Sequence, residues 1–252
     1  MLTTIHSRFL VNGKLNGPPG SRPFSGAANW LLNNYRMLCL MGCGMAPIAA
    51  LCLTIFGLWS LRLATLALIL PAIVVVAMVA RRAPAEGKLA LVGFLNGIVA
   101  VLSYDAFRLW FVWQGWWGDF IPKIGGWLLG SHHPDVLIGY TWRYVGNGGG
   151  MGMTCVLLYA LAFRGRRSTL FRSMVFCAGF GVVIWVCLIL TLLASDRGQS
   201  MLFYITPLTL LLSLIGHLIY GACIGICNAK VQPYVRRNRS SDRLGRASSR
   251  RP

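Results

Sequence analysis

Apolar positions in this chain come in long unbroken blocks, neither alternating as in a half-buried strand nor striped as on a surface helix. Residues 37–80 carry one charge, Arg62. A helix crosses a hydrocarbon core of about 30 Å with about 20 apolar residues, so this block predicts two spans folded back near residues 59–62. A charged break at 81–88 follows, and four further apolar blocks come after it. The pattern predicts an all-α integral membrane protein, a bundle of about six transmembrane helices at approximately 37–58, 62–80, 89–113, 138–163, 173–194 and 201–228. Residues 1–36 read as a basic cytoplasmic arm with a short interfacial helix over 27–36. Residues 229–252 read as a basic, disordered cytoplasmic tail. Five spans follow instead if 37–80 does not fold back.

Composition agrees with the blocks. Of 252 residues, 56% are hydrophobic and 12% charged, with mean hydropathy +0.63. Soluble domains average about 25% charged residues, so a water-soluble globule and a disordered chain are both excluded. There are 24 Lys and Arg against 6 Asp and Glu, and the excess is placed by topology. With both termini inside, 19 of the 24 basic residues fall in inner segments, as the positive-inside bias requires. Net charge +18 therefore says nothing for nucleic acid, and no nucleic-acid partner is expected. The expected location is a bacterial-type cytoplasmic (inner) membrane. No apolar signal-peptide core precedes the first block; because residues 1–36 also lack acids, the mitochondrial inner membrane is the alternative.

The link between the third and fourth blocks is the longest. Trp110, Trp113, Trp116, Trp117, Trp127 and Trp142 cluster around it, and Trp favours the membrane–water interface. Residues 120–129 then read as an interfacial or re-entrant segment. Gly93/Gly97, Gly146/Gly150, Gly148/Gly152 and Gly221/Gly225 have the four-residue spacing that lets helix backbones approach. They predict packing within the bundle first and an oligomer contact second. Asn147–Gly150 is also a weak helix stretch, where local unwinding and a binding site would coincide.

Charges inside spans need a reason, since each costs roughly 3 kcal/mol on insertion scales. Asp105 lies about 25 Å along its helix from Lys88, near the outer end, and Arg108 follows one turn later. Arg143 sits at similar height on the next span. The plain reading is an ion pair locking two helices; the sharper reading is an anion-binding or gating site with net positive charge, to which Asn147 would add a polar group. His217 and Asn96 lie deeper, as a proton relay or as interhelical polar contacts. Cys39/Cys43 and Cys223/Cys227 are two i,i+4 pairs at matching depth, so their four sulfurs could hold zinc, Cu(I) or an iron–sulfur cluster. Cysteine acting as a small hydrophobe is the plainer reading, and no cofactor is predicted. The turn at residues 131–135 (Ser-His-His-Pro-Asp) reads as polar punctuation and not as a metal site.

No hydrolase, metalloprotease or phosphate-binding motif occurs in the sequence. The expected function is small-solute or ion binding or transport through an outward-facing polar site. A non-catalytic structural or assembly subunit is the alternative, and a membrane enzyme acting on lipid the third. Expected partners are the bilayer, anionic lipid at the inner basic loops and tail, and a second copy or a complex subunit. The topology is checked by reporter fusions: a cytosol-dependent reporter at residue 240 should be active and one at residue 125 silent. The reverse pattern would overturn the orientation.

Overall fold

The computed structural model describes residues 24–164, 166 and 168–248, with residues 24–27 and 231–248 described by backbone alone. It is all-α, with no strand among the described residues. Among the described residues, eight helical elements follow in order. They are α1 (Phe24–Ile55), α2 (Leu61–Arg82), α3 (Pro84–Trp113), α4 (Ile121–Leu129), α5 (Val136–Ala162), α6 (Leu170–Ala194), α7 (Gly198–Met201) and α8 (Pro207–Ser248). Six of these, α1, α2, α3, α5, α6 and α8, are long and apolar enough to cross a membrane. The fold-back of residues 37–80 occurs as the apolar pattern predicts.

The ends of the helices follow local chemistry. Gly57 takes φ 73° between α1 and α2, where a side chain would be strained. The Ser60 hydroxyl then caps α2 by accepting from Leu63 N (3.3 Å). Pro84 opens α3, where its missing N–H costs nothing. Asp135 caps α5 by accepting from Ile138 N (2.8 Å), which gives the 131–135 turn its structural role. Thr206 and Thr209 bond reciprocally on either side of Pro207. That cap is why the last span starts at Pro207 and not at 201, with α7 a separate turn before it.

Contacts divide the chain into Met1–Tyr35 and Arg36–Pro252. The described part of the first unit is the opening of α1, with Trp30, Leu31, Leu32 and Tyr35 exposed and Asn34 Nδ2 donating to the Trp30 carbonyl (2.7 Å). The short helix expected over 27–36 is therefore continuous with the first span. No Pro or Gly separates the two, so nothing stops helix propagation. At the other end the backbone of the expected disordered tail continues α8 as helix to Ser248. Extending a formed helix avoids the nucleation penalty, and arginine is a good helix former. Residues 1–23 of the arm and 249–252 of the tail lie outside the described residues.

Within the second unit, α3, α5 and α8 are the most buried spans. In its most apolar stretch α5 is 61% buried, against 6% for α2. Glycines make this packing. Gly97 lies so close to α5 that a Cβ there would strike the Gly148 carbonyl and come 2.8 Å from Gly152 Cα. Gly150 meets the Gly44 carbonyl of α1, and Gly221 and Gly225 of α8 meet Cys177 and Met174 of α6. The four-residue glycine pairs are thus used inside the bundle, as expected first. The tryptophans divide. Trp110, Trp113 and Trp116 are exposed, whereas Trp117 and Trp142 pack in the core, so the aromatic belt is smaller than the sequence count suggests.

Gly97→Val should be severely destabilising, because backbone, which cannot yield, occupies the space. Gly179→Ala on α6, with nothing within 4 Å, should be neutral to mildly stabilising. Melting of the detergent-purified variants checks both.

Candidate functional site

Asp105 and Arg108 share a face of α3, and both are buried (1% and 0% exposed). Arg108 Nε donates to Asp105 Oδ1 (3.2 Å). From α5, Arg143 Nε donates to both oxygens of the same carboxylate (2.7 and 2.8 Å). Its Nη2 also lies 2.6 Å from Asp105 Oδ1, but at an angle that makes this a charge contact and not an aligned hydrogen bond. The two arginines and the aspartate singled out in the sequence therefore meet.

A fourth charge changes their balance. Asp119, in the segment before α4, accepts from Arg108 Nη1 at Oδ1 (3.1 Å). Tyr140 closes the ring: its hydroxyl accepts from Arg108 Nη2 (2.8 Å) and donates to Asp119 Oδ2 (2.9 Å). Asp119 Oδ1 also accepts from Ile121 N (3.2 Å), fixing the start of α4. Two carboxylates now face two guanidiniums, so the expected net-positive pocket is corrected to a neutral network. The reason is the loop, which brings Asp119 back over Arg108. Ring faces complete the surroundings, with Arg143 Cζ 4.8 Å from the Tyr104 centroid and Arg108 Cζ 5.8 Å from that of Phe120.

Arg143 and Asn147 both lie in a π-helical stretch, Trp142–Gly149, between the two α-helical parts of α5. The expected unwinding at Asn147–Gly150 thus takes the form of a wider helical turn; π-turns are rare and often mark functional sites. Tyr220 of α8 fastens this stretch, its hydroxyl donating to the Gly148 carbonyl (2.8 Å).

Beside the network lies a cavity of about 240 Å³, lined by residues of α1, α3, α5, α6 and α8 and of the segments around α4. Its lining is mainly apolar, but Arg143, Asn147 and His217 contribute polar groups. Among the described residues, Arg143 Nη2 has no aligned hydrogen-bond acceptor and Asn147 Oδ1 has no donor. His217 Nδ1 is 2.7 Å from the Ser213 carbonyl. A carbonyl only accepts, so Nδ1 carries a proton, and in the neutral form Nε2 has an acceptor lone pair. Its ring packs edge-on to Tyr104 (5.3 Å). Asn96 is buried with Nδ2 unpartnered and does not line this cavity.

The cysteine pairs do not converge. Among the described residues, no three His, Cys, Asp or Glu side chains form a group able to hold a metal ion. Cys223 faces Ser103 of α3 (3.6 Å), whereas α1 is seated on α5 at Gly44 and Cys39 is exposed. Matching depth on two helices was legible in the sequence, but which helices are neighbours was not.

The chain matches no family model, no curated protein and no solved structure. Asp119 and Tyr140 are the members that spacing on a helix could not supply.

The network ranks its own substitutions. Asp105→Asn leaves Arg143 buried without a counter-charge, a loss of about 3–5 kcal/mol, and should lower the melting temperature most. Arg143→Gln leaves Asp105 paired to Arg108 and should cost less. Asp119→Asn should be mildest, because its side chain is 25% exposed and Arg108 keeps Asp105. Equal melting temperatures for all three in detergent would contradict the network.

Proposed function

We propose that this is a membrane-embedded binding protein for a small, uncharged amphiphile, held in the 240 Å³ cavity beside Arg143. The observation that carries this reading is that the unpartnered Arg143 Nη2 and Asn147 Oδ1 border one otherwise apolar cavity, which His217 also lines. A donor and an acceptor are needed to satisfy them. A primary amide or hydroxyl provides both, accepting from the guanidinium and donating to Asn147 or His217. Charge selects further: Asp105 and Asp119 already neutralise Arg108 and Arg143, so a neutral head group fits better than an anion. The apolar body of the ligand would lie against α1 and α6, where Ile48, Leu51, Val183 and Leu188 line the cavity. Binding, with or without transport, is the activity this supports. The distribution of basic residues supports both termini being cytoplasmic in a bacterial-type inner membrane.

A second reading, a structural subunit of a membrane complex, is favoured by the sealed Asp105–Arg108 pair and the scant burial of α2. Octanamide separates the two. It should raise the melting temperature of the purified protein by several degrees, while octane and acetamide should not. Asn147→Leu should keep the unliganded melting temperature and lose the octanamide response. No response to octanamide in the wild type, or an undiminished response in Asn147→Leu, would leave the structural reading.

A further inference from the structure

A second, larger cavity lies on the other side of α5. It is a groove of about 810 Å³ between α2 and the rest of the bundle, walled by residues such as Ile73, Val76, Phe94, Val145 and Met153. This is within the range of pockets that hold whole ligands, about 300–1,000 Å³. Its cause is the way α2 is held. Near one end, Gly87 of α3 lies so close to Ala80 that a Cβ would come within 2.7 Å of it. At the other end Leu61 and Ala64 are buried in the core around α4. Between these anchors α2 has almost no buried side chain. Thr65–Ile69 is a π-helical turn at the start of that stretch.

Among the described residues, Lys88 is the only charged one lining the groove, and it marks the α2–α3 junction end. Arg81, Arg82 and Glu86 are the other charged residues of that junction, so its net charge is positive. An apolar groove gives water no partners. In a bilayer it fills with hydrocarbon, and a positive junction at one end selects the sign of the head group.

We propose that this groove is a specific site for an anionic phospholipid, with one acyl chain lying between α2 and α5 and the phosphate at Lys88. The site is independent of the amphiphile cavity: Arg143, Asn147 and His217 do not line it.

Native mass spectrometry of the full chain tests this directly. After delipidation, the protein is mixed with phosphatidylglycerol or phosphatidylcholine in detergent. One phosphatidylglycerol should bind per chain, in preference to phosphatidylcholine. Lys88→Gln should lower that preference roughly fivefold, the factor one basic residue near an anionic surface supplies. Ala72→Trp, which fills the groove, should abolish binding of both lipids; Val76→Trp is the replacement if that variant does not fold. Equal binding of the two lipids by wild type, or full binding by the groove-filled variants, overturns the proposal. So does a dimer in place of bound lipid that the filled variants convert to monomer, which would make a second copy the occupant.

Discussion

A guanidinium with no solvent exposure at all has to be answered by the fold, and Arg108 is that group. Removing a charge from water costs several kcal/mol even after relaxation, and the interior repays this only when geometry and hydrogen bonding are complete. Here they are, and each partner comes from a different place. Asp105 is one turn back on α3, Asp119 is in the link to α4, and Tyr140 is at the start of α5. Satisfying one side chain therefore specifies the relation between two spans and the loop joining them. Arg143, drawn to the same Asp105, extends that constraint into the π-helical part of α5.

The cavity follows from this arrangement. Because Asp105 holds Arg143 on one side, the guanidinium presents its remaining capacity where Asn147 and His217 also lie. The π-turn and the close glycine contacts at Gly97, Gly148 and Gly152 set how near α3 and α5 approach below it. Core spans α3 and α5 are thus fixed by backbone proximity and by charge, and α8 is tied to α5 by Tyr220. In contrast, α2 is anchored at its ends, and the space it leaves is apolar.

Six spans were legible because a bilayer demands long apolar runs and tolerates few charges within them. Asp105, Arg108 and Arg143 were legible for the same reason, as charges that needed an explanation and stood at one height. Asp119 was not, because its pairing depends on how an irregular link returns over α3, and no helical period encodes that. Trp117 and Trp142 misled for a related reason: interface preference is a tendency of the residue type, and here core packing outweighed it. The start of the last span was set by a Thr206–Thr209 cap that hydropathy does not see. Depth along a helix could be read for the cysteines, but not which helices touch.

The central claim is that charge balance within this network, more than any single contact, holds the α4 end of the bundle. A double-mutant cycle on Asp105 and Arg143, read by thermal unfolding in detergent, tests it most directly. Asp105→Asn alone strands Arg143; combined with Arg143→Gln, it leaves Arg108 facing Asp119, and the charges balance again. The account predicts that the double variant is more stable than Asp105→Asn alone, with a coupling of about 1–3 kcal/mol. Losses that simply add, leaving the double variant the least stable of the three, would contradict it.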